Sequence, residues 1–569
     1  MAGGGVVLNR ASMANIQASP CCGSLRRPSF DYHGRLTFYV ILVAAVAAAG
    51  GLLFGYDIGV TGGVEAFDEF QVKFFPDVYA NRHDTTTSPY CVYDSQKMQA
   101  FTSSLFLAGL FSSLFAAKIT QKWGRKMTMT LGSIWFLIGV GLTSGAVEIG
   151  MLVVGRLCLG FGIGFVNQVA PLYLSEMAPY NYRGGLNVCF QLCITIGILF
   201  AQLINYGMQN VTHGWRISLA VAGGPAIALF IGSLLLPESP NSLVERGRPE
   251  QARRVLERLR GTPQVDAEFN DIVLGVESSK GIRMREAGWE WEWGVFYVPV
   301  LFSSLGTGRK TALINTVVIG AVNVGCTIIA VLAVDRFGRR FLLVEGGIQC
   351  CIMMIIVGVV LGVEFSSVSG TILPKPVARG VLAVICLFIA GFAWSWGPLG
   401  WLVPSEIQPL ETRSAGTAAA VVSNFLWTFV VGQVFLTMLC SMRFGVFLFF
   451  AGMLAIMTAF ALFFVPETKG LPVERIQVLF ARHWFWRRWM GEAAAEDIIA
   501  KEASRAAARK GFTAEHGAGL PAGPTVARKT PAPGIAGVLE RASQFSSGWA
   551  PTEQQFIVPG DEEEVPPTK

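Results

Sequence analysis

Charged residues are scarce in this chain, at 15% of its 569 residues, whereas an average soluble protein has about 25%. There are only 5 histidines, and the cysteines and histidines lack the spacing of metal ligands. No phosphate-binding Gly-x-x-x-x-Gly-Lys-Ser/Thr loop is present, which argues against an ATP-driven pump. We therefore expect no metal, no cofactor and no enzymatic activity. The first 35 residues lack an apolar run, so we expect no cleavable signal peptide.

Hydrophobic residues, by contrast, make up 52% of the chain and occur in long runs. A bilayer core about 30 Å thick is crossed by roughly 20 apolar helical residues, so we predict an all-α integral membrane protein. Eleven runs are long enough, and we number them spans 1 to 6 and 8 to 12: Leu36–Gly63, Met98–Ala117, Met127–Val147, Met151–Leu174, Gly184–Met208, Ile217–Leu236, Thr311–Val334, Phe341–Val363, Val377–Val403, Ser414–Cys440 and Phe444–Val465. A shorter run, Trp293–Leu305, covers only about 20 Å as a helix, and we call it span 7.

Basic residues cluster in the connections that follow spans 2, 4, 6, 8, 10 and 12. Because such connections face the cytoplasm, we predict that both termini are cytoplasmic. The later connections keep this pattern only if span 7 crosses the membrane, although it is too short, and this is the main anomaly of the sequence. The net charge of +6 therefore reflects membrane topology, and we expect a lipid bilayer but no nucleic acid as a partner.

The spans divide the chain into six predicted segments. They are a cytoplasmic tail (1–35), a six-helix bundle (36–236) with an extracellular lid loop (65–97), a cytoplasmic linker of short helices (237–290), a second bundle (291–466), a cytoplasmic amphipathic segment (467–490) and a disordered tail (491–569). The last segment is rich in alanine, glycine and proline, a composition that is typical of disorder.

Three short motifs recur at equivalent places in the two bundles. Ser175–Pro179, followed by Arg183, recurs as Ser405–Pro409, followed by Arg413; Pro237–Ser239 recurs as Pro466–Thr468; and Gly124–Lys126 recurs as Gly338–Arg340. Each motif falls at the predicted cytoplasmic end of the equivalent span. The repeat therefore indicates two six-span halves in parallel orientation.

The charges of these motifs have two interpretations. They either anchor helix ends at the membrane surface or form ion pairs that latch the cytoplasmic ends of the helices together. In the second interpretation, Glu176 and Glu406 pair with arginines of the Gly-Arg-Lys/Arg turns. Partly desolvated pairs suit a gate because their net stability is small compared with the opposing terms. The candidate gating charges are Arg125, Glu176, Arg183, Glu238, Arg339, Glu406, Arg413 and Glu467.

Two opposite charges lie inside predicted spans. Asp57 on span 1 and Arg156 on span 4 both lie about 10 Å from the predicted extracellular surface, at 1.5 Å per helical residue. A charge within a span is costly and by default a functional candidate. The two side chains either meet at this depth or extend separately to the outer surface, which is easy for arginine but hard for the shorter aspartate.

Five motifs carry a family resemblance: Arg336–Arg340, Pro237–Pro240, Pro466–Gly470, Gly397–Trp401 and Gln191–Thr195. They resemble the sugar-porter branch of the major facilitator superfamily, and within it the plant and green-algal monosaccharide/proton symporters. The resemblance runs from about Arg35 to Trp489. It implies the major facilitator fold of two pseudo-symmetric six-helix bundles, and import of a glucose- or galactose-like hexose with a proton by alternating access. We also expect a monomer in the plasma membrane.

The resemblance gives Asp57 and Arg156 a role in proton coupling. The aspartate accepts the coupled proton, and the arginine holds it charged between cycles. This role agrees with the physics, because burial disfavours the charged form of a carboxylate while a nearby guanidinium favours it.

Neutral polar residues near mid-span are candidates for binding an uncharged, hydroxyl-rich substrate. Gln191, Asn323 and Asn424 offer amides with both donors and acceptors. An amide at this depth joins two helices about as often as it contacts a ligand. The resemblance assigns these three residues to the sugar site, together with Phe54 and Trp401.

Cys91 and Cys440 are the two of the 11 cysteines that the predicted topology places outside the cell, where a disulfide persists. They either form a disulfide that ties the lid loop to the rim of the second bundle, or remain free thiols. The plant and algal family members resemble this chain at both positions.

The chain departs from the family at span 7, which is truncated. The family has two adjacent glutamines and a Thr-Gly-Ile-Asn motif there, and in this chain Ile282–Trp293 stands in place of that half-helix. Three missing amides, at about 0.5 to 1.5 kcal/mol for each hydrogen bond, would weaken sugar binding. A non-transporting sugar sensor or a defective gene-model product is therefore the alternative. Asp57 and Arg156 argue against a third alternative, a proton-independent facilitator.

Overall fold

The computed structural model describes residues 35–83, 91, 94–179, 182–279, 309–367, 375–408, 413–469 and 476–500. The regular secondary structure of these residues is helical throughout. The predicted span 7, residues 1–34 and residues 501–569 of the predicted disordered tail lie outside the described residues. Residues 492–500, at the start of that tail, are helical.

Within the described part, 11 helical stretches are long and apolar enough to cross a membrane. They coincide with the predicted runs, which confirms an all-α membrane protein. Spans 1 to 6 are Phe38–Glu65, Gln96–Trp123, Arg125–Ser144, Ile149–Met177, Arg183–Met208, and Gly214–Ala220 with Gly223–Leu235. Spans 8 to 12 are Arg309–Phe337, Arg339–Ser367, Lys375–Trp394 with Trp396–Ile407, Arg413–Met442 and Gly445–Phe464.

Span 10 is built from two helices, and the break lies at Ser395, where the backbone leaves helical geometry (φ −124°, ψ −92°). The Ser395 hydroxyl donates to the Gly391 carbonyl at 2.6 Å and so occupies an acceptor at the end of the first helix. Pro398 falls in the first turn of the second helix. Proline is tolerated there because the first N–H groups of a helix have no intrahelical acceptor.

Span 1 packs closely against span 5 along a row of glycines. Gly51, Gly55, Gly59 and Gly63 recur at every fourth residue, so they share one face of the helix. A β-carbon at Gly55 would collide with the carbonyl oxygen of Ile194 on span 5. Small residues at this spacing let two membrane helices approach to backbone contact. The row therefore fixes the position of span 1, which carries Asp57.

The two halves of the repeat have their own apolar cores. One core joins spans 1 to 6 and also takes in a few residues of spans 10 and 11, among them Trp401 and Phe425. A second core joins spans 8 to 12. Across the boundary, span 2 packs against span 11 and span 5 packs against span 8. Spans 2 and 8 are equivalent in the repeat, as are spans 5 and 11, so the two contacts are related by pseudo-symmetry.

Two short helices, Asp68–Phe74 and Pro76–His83, follow span 1, and we call them the lid helices. Cys91, beyond them, is joined to Cys440 on span 11 by a disulfide, which confirms the predicted pairing over two free thiols. Next to it, Thr437 donates a hydrogen bond to Asp94 at 2.8 Å. The connection between the lid helices and span 2 is therefore attached to the second half by covalent and polar contacts.

In the described part of the predicted linker, residues 237–279, there are three short helices: Pro240–Glu245, Pro249–Arg260 and Asp266–Ser279. The buried Arg260 pairs with Glu268 at 2.6 Å and donates to the Met177 carbonyl at 3.0 Å. The linker is thus fixed to the end of span 4. After span 12, the helix Trp484–Met490 is held to it by a hydrogen bond from Trp486 Nε1 to the Phe464 carbonyl at 2.7 Å.

We expect the substitution Gly55→Ala to destabilise the protein, because its methyl group would enter the space of the span 5 backbone. Overpacking of this kind costs about 1 to 3 kcal/mol. The measurement is thermal unfolding of the detergent-solubilised protein. The matched control is Gly207→Ala, at the end of span 5, since a β-carbon there meets nothing within 4 Å. Equal melting temperatures for the two variants would contradict the prediction.

Candidate functional site

Asp57 and Arg156 form a buried ion pair between spans 1 and 4. Arg156 Nη1 lies 2.9 Å from each of the two carboxylate oxygens of Asp57. The aspartate is 3% exposed and the arginine 1%. The two charges therefore meet inside the protein, and neither extends separately to the surface.

Two residues that the sequence did not single out position the Arg156 guanidinium. Thr61 accepts a hydrogen bond from Arg156 Nη2 at 2.7 Å and donates one to the Asp57 carbonyl at 2.6 Å. The Phe101 ring covers the guanidinium, with its centroid 4.2 Å from the guanidinium carbon, which is cation–π geometry. Thr61 stands four residues after Asp57 and therefore on the same helix face. This spacing is visible in the sequence and could have identified Thr61.

This arrangement makes the charge state of Asp57 depend on Arg156. Two charges removed from water are tolerated only as a pair, and a pair that loses one member leaves a buried charge uncompensated. Protonation of Asp57 would neutralise its carboxylate, and Arg156 would then lose the negative charge that it is paired with. The charge of Asp57 and its contact with Arg156 are therefore linked, and a change in one affects the other.

One helical turn before Asp57, an aromatic cluster joins the two halves. The edge of the Phe54 ring packs on Trp401 with centroids 6.3 Å apart, and on Phe425 at 6.0 Å. Trp401 also packs against Phe190 at 5.4 Å. Phe54 and Trp401, both predicted to bind sugar, are thus brought together at the boundary between spans 1 and 10.

The predicted amide Gln191 lies beside this cluster. It follows Phe190 directly, and a β-carbon on Gly397, at the break of span 10, would lie 3.2 Å from its Nε2 atom. Gln191 is buried, and its Oε1 atom has no hydrogen-bond partner in the described part of the chain. An unpaired buried carbonyl is unusual, and its free acceptor makes Gln191 a candidate for binding a hydroxyl-bearing ligand.

Asn323 on span 8 and Asn424 on span 11 are also buried. Among the described residues, the Oδ1 atom of each lacks a hydrogen-bond donor. Asn424 precedes Phe425 of the aromatic cluster, whereas no described contact joins Asn323 to the other predicted sugar residues. The structure therefore brings Phe54 and Trp401 into contact and places Gln191 next to Phe190 of the same cluster.

Other buried amides escaped the sequence-based prediction. Asn167 on span 4 and Gln202 on span 5 have side-chain oxygens with no partner among the described residues. Asn187 on span 5 instead donates to Ser405 on span 10 at 2.6 Å, so this amide joins the two halves. In span 5, one buried amide thus joins two helices, whereas Gln191 and Gln202 keep side-chain oxygens without a partner among the described residues.

At the predicted cytoplasmic end of the first half, a cluster of charged residues contains the predicted pair of Glu176 with an arginine of the Gly-Arg-Lys turn. Arg125 binds Glu176 through two hydrogen bonds, at 2.8 and 3.1 Å. Glu238 accepts from the Arg125 backbone N–H at 2.8 Å, and Ser239 donates to Glu176 at 2.5 Å. Glu245, on the linker, also pairs with Arg125 at 2.6 Å and was not predicted.

The second half repeats this cluster. Arg339 binds Glu406 at 2.7 and 3.1 Å. Glu467 accepts from the Arg339 backbone N–H at 2.9 Å, and Thr468 donates to Glu406 at 3.0 Å. Asp335, which was not predicted, pairs with Arg339 at 3.1 Å and accepts from the Gly185 N–H of the first half, also at 3.1 Å. We call the two clusters the first and second latches.

The glycine before each latch arginine explains part of the repeated motif. Gly124 has φ +93° and Gly338 has φ +101°, a backbone region that favours glycine. A β-carbon at Gly338 would come within 2.6 Å of Glu467, and one at Gly124 would collide with Glu238. The remaining predicted charges, Arg183 and Arg413, are each the first residue of the helix that follows, spans 5 and 11.

Comparisons with known proteins agree with this geometry. The sequence model of the family described as "Sugar (and other) transporter" matches residues 43–480. The chain is 55% identical to H(+)/hexose cotransporter 1 of Parachlorella kessleri, covering 85% of this chain and 95% of that protein. It is 49% identical to Sugar transport protein 10 of Arabidopsis thaliana, over 82% and 95% of the two chains.

A solved structure of XylE, a major facilitator superfamily proton:xylose symporter bound to 6-bromo-6-deoxy-D-glucose, has the same fold. Its TM-score is 0.66 at 24% identity, over 78% of this chain and all of that one. The expected resemblance is thus confirmed. The chain belongs to the sugar transporter family and has the major facilitator fold.

Proposed function

We propose that the protein is a secondary active transporter that imports a hexose together with a proton. The observation that carries the proposal is the buried pair of Asp57 and Arg156, one helical turn from the cluster of Phe54 and Trp401. A proton-binding group and a candidate sugar site thus share one helix. The names of the relatives, which include hexose cotransporters, support the same function.

Sugar and proton are coupled through span 1. A hexose has an apolar ring face, which packs on Phe54 and Trp401, and hydroxyls, which satisfy the unpaired amide oxygens of Gln191 and Asn424. Filling this site shifts Phe54, and with it Asp57, relative to Arg156 on span 4. Asp57 then takes up a proton, since the carboxylate has lost the cation that kept it ionised.

Alternating access requires the two halves to separate at one end at a time. At the end predicted to be cytoplasmic, the second latch joins the halves through Asp335 and Gly185, and Gln121 donates to Ser414 at 3.0 Å. Release of sugar to the cytoplasm breaks these contacts. Arg125, Glu176, Arg339 and Glu406 then act as switchable pairs, because the net stability of a buried pair is small.

Further features of the proposal concern where the protein works. Basic connections at the latch end favour cytoplasmic termini, and the related hexose cotransporters support a plasma-membrane location. We further propose that a monomer transports a glucose- or galactose-like hexose. The sensor alternative is not favoured, because the relatives named above are transporters that match the chain over most of its length.

The substitution Asp57→Asn should abolish sugar accumulation and leave sugar exchange intact. Asparagine imitates the protonated aspartate and cannot release a proton, so the halves still move but no longer respond to the proton gradient. The measurement is uptake and counterflow of labelled glucose in proteoliposomes with and without a pH gradient. The matched control is Asp77→Asn on a lid helix, where the carboxylate is 71% exposed. A pH dependence like that of the wild type in Asp57→Asn would overturn the assignment of the proton site.

The substitution Gln191→Ala should raise the KM for the transported hexose without changing the number of protons taken up per sugar. One hydrogen bond contributes about 0.5 to 1.5 kcal/mol, so the expected rise is about 2- to 12-fold. Initial uptake rates over a range of glucose concentrations measure it. Gln209→Ala is the control, because this glutamine directly follows the same helix and donates to the Tyr206 carbonyl. An unchanged KM in Gln191→Ala would remove this residue from the sugar site.

A further inference from the structure

Span 1 carries a second buried carboxylate, Glu65, at the end of the helix nearest the lid. The residue is 1% exposed. Its Oε1 atom accepts a short hydrogen bond from the Thr102 hydroxyl on span 2. Its Oε2 atom has no hydrogen-bond partner within the described residues. A buried carboxylate that is only partly satisfied is costly when charged, so this position needs either a cation or a proton.

A cation, Arg156, stands on the same side of span 1, but it is already paired with Asp57. Asp57, Thr61 and Glu65 are spaced by four residues, so they lie on one face of span 1 over about 12 Å. Arg156 binds the first two, and it acts electrostatically on Glu65. Span 2 supports the same arrangement, because Phe101 covers the guanidinium while the adjacent Thr102 binds Glu65.

No other charge in the described surroundings is placed to neutralise Glu65. On the lid side, Gln71 donates its amide to the Glu65 backbone carbonyl at 2.7 Å and brings no charge. Lys73, on the same lid helix, donates to the Ala146 carbonyl and lies over Trp215, so its amine is engaged elsewhere. Span 5 contributes Asn205, which donates to the Gly59 and Val60 carbonyls. Among the described residues, Glu65 thus has no ion pair of its own, and the guanidinium on its helix face is bound to Asp57.

We propose that Glu65 is a second proton-binding carboxylate of the transport cycle, which holds the proton before Asp57 and takes Arg156 as its partner once Asp57 is neutral. The proton leaves a Glu65 carboxyl oxygen and joins a carboxylate oxygen of Asp57. The three groups together are neutral before and after this transfer, so no unpaired charge is buried at either stage. Glu65 has this role only if Asp57 is the coupled proton site, as proposed above.

The position of Glu65 suits the first stage of proton entry. It lies at the lid end of span 1, two turns closer to the lid than Asp57. Phe101, which covers the Arg156 guanidinium, packs on the lid residue Phe70 with ring centroids 5.6 Å apart. Glu65 is thus the carboxylate of this helix nearest the predicted extracellular side, and the hydroxyls of Thr61 and Thr102 lie along the same face.

The test is the pH dependence of glucose uptake by Glu65→Gln in proteoliposomes. Glutamine cannot become an anion, so protonation of Asp57 would leave Arg156 without a carboxylate. A higher proton concentration is then required, and the pH of half-maximal uptake should fall by roughly 1 to 3 units, the usual effect of one opposite charge near a buried group. The number of protons per sugar should stay the same, because Asp57 still carries the coupled proton.

Two further variants keep the test specific. Thr102→Val removes the described hydrogen bond to the Glu65 carboxylate and should shift the profile in the same direction by a smaller amount. Glu148→Gln, an exposed residue directly before span 4, makes the same chemical change and should leave the profile unchanged.

The outcomes separate this role from the proposed function itself. A wild-type pH profile in Glu65→Gln, with Asp57→Asn behaving as expected, would overturn the role of Glu65 alone. Loss of glucose counterflow at acid pH in Glu65→Gln would also overturn it, since a residue needed for exchange is structural. If Asp57→Asn still accumulates sugar, the proposed proton symport through Asp57 is wrong, and the role of Glu65 falls with it.

Discussion

The structure depends on the burial of one charge pair. Asp57 and Arg156 are shielded from water, and each is tolerated there only because the other is present. Span 1 must therefore stand within hydrogen-bonding distance of span 4 while it packs against span 5. The row of glycines allows this, because it brings the backbones of spans 1 and 5 into contact. The aromatic cluster and the lid are then positioned by the same helix, at either side of the pair.

Much of this architecture could be predicted from the sequence because it follows from local rules. Apolar runs long enough for the bilayer identified the spans, and equal depth on two spans predicted the contact of Asp57 with Arg156. The offset repeat predicted that Glu176 and Glu406 pair with the arginines of the Gly-Arg turns. In the structure, Glu176 pairs with Arg125 and Glu406 pairs with Arg339. Each of these relations depends on spacing along the chain, which the sequence contains directly.

The rest depends on which helix faces approach one another, and spacing alone does not contain that. Glu65, Glu245 and Asp335 stand near helix ends, where charges are usually solvated. The three-dimensional packing buries Glu65, pairs Glu245 with Arg125 of span 3, and connects Asp335 to the opposite half. Phe101 looked like one apolar residue among many, and its role as a ring over Arg156 needs the approach of span 2 to span 4. The same limit applies to Asn323, whose assignment to the sugar site rests on the family resemblance.

Each of the two latches contains one arginine, two glutamates and one hydroxyl. Each also has a third carboxylate, and this residue differs between the two. Glu245 attaches the first latch to the linker of its own half, whereas Asp335 connects the second latch to the backbone of the opposite half. The repeated cluster therefore makes two kinds of connection: to the linker at the first latch, and between the two halves at the second.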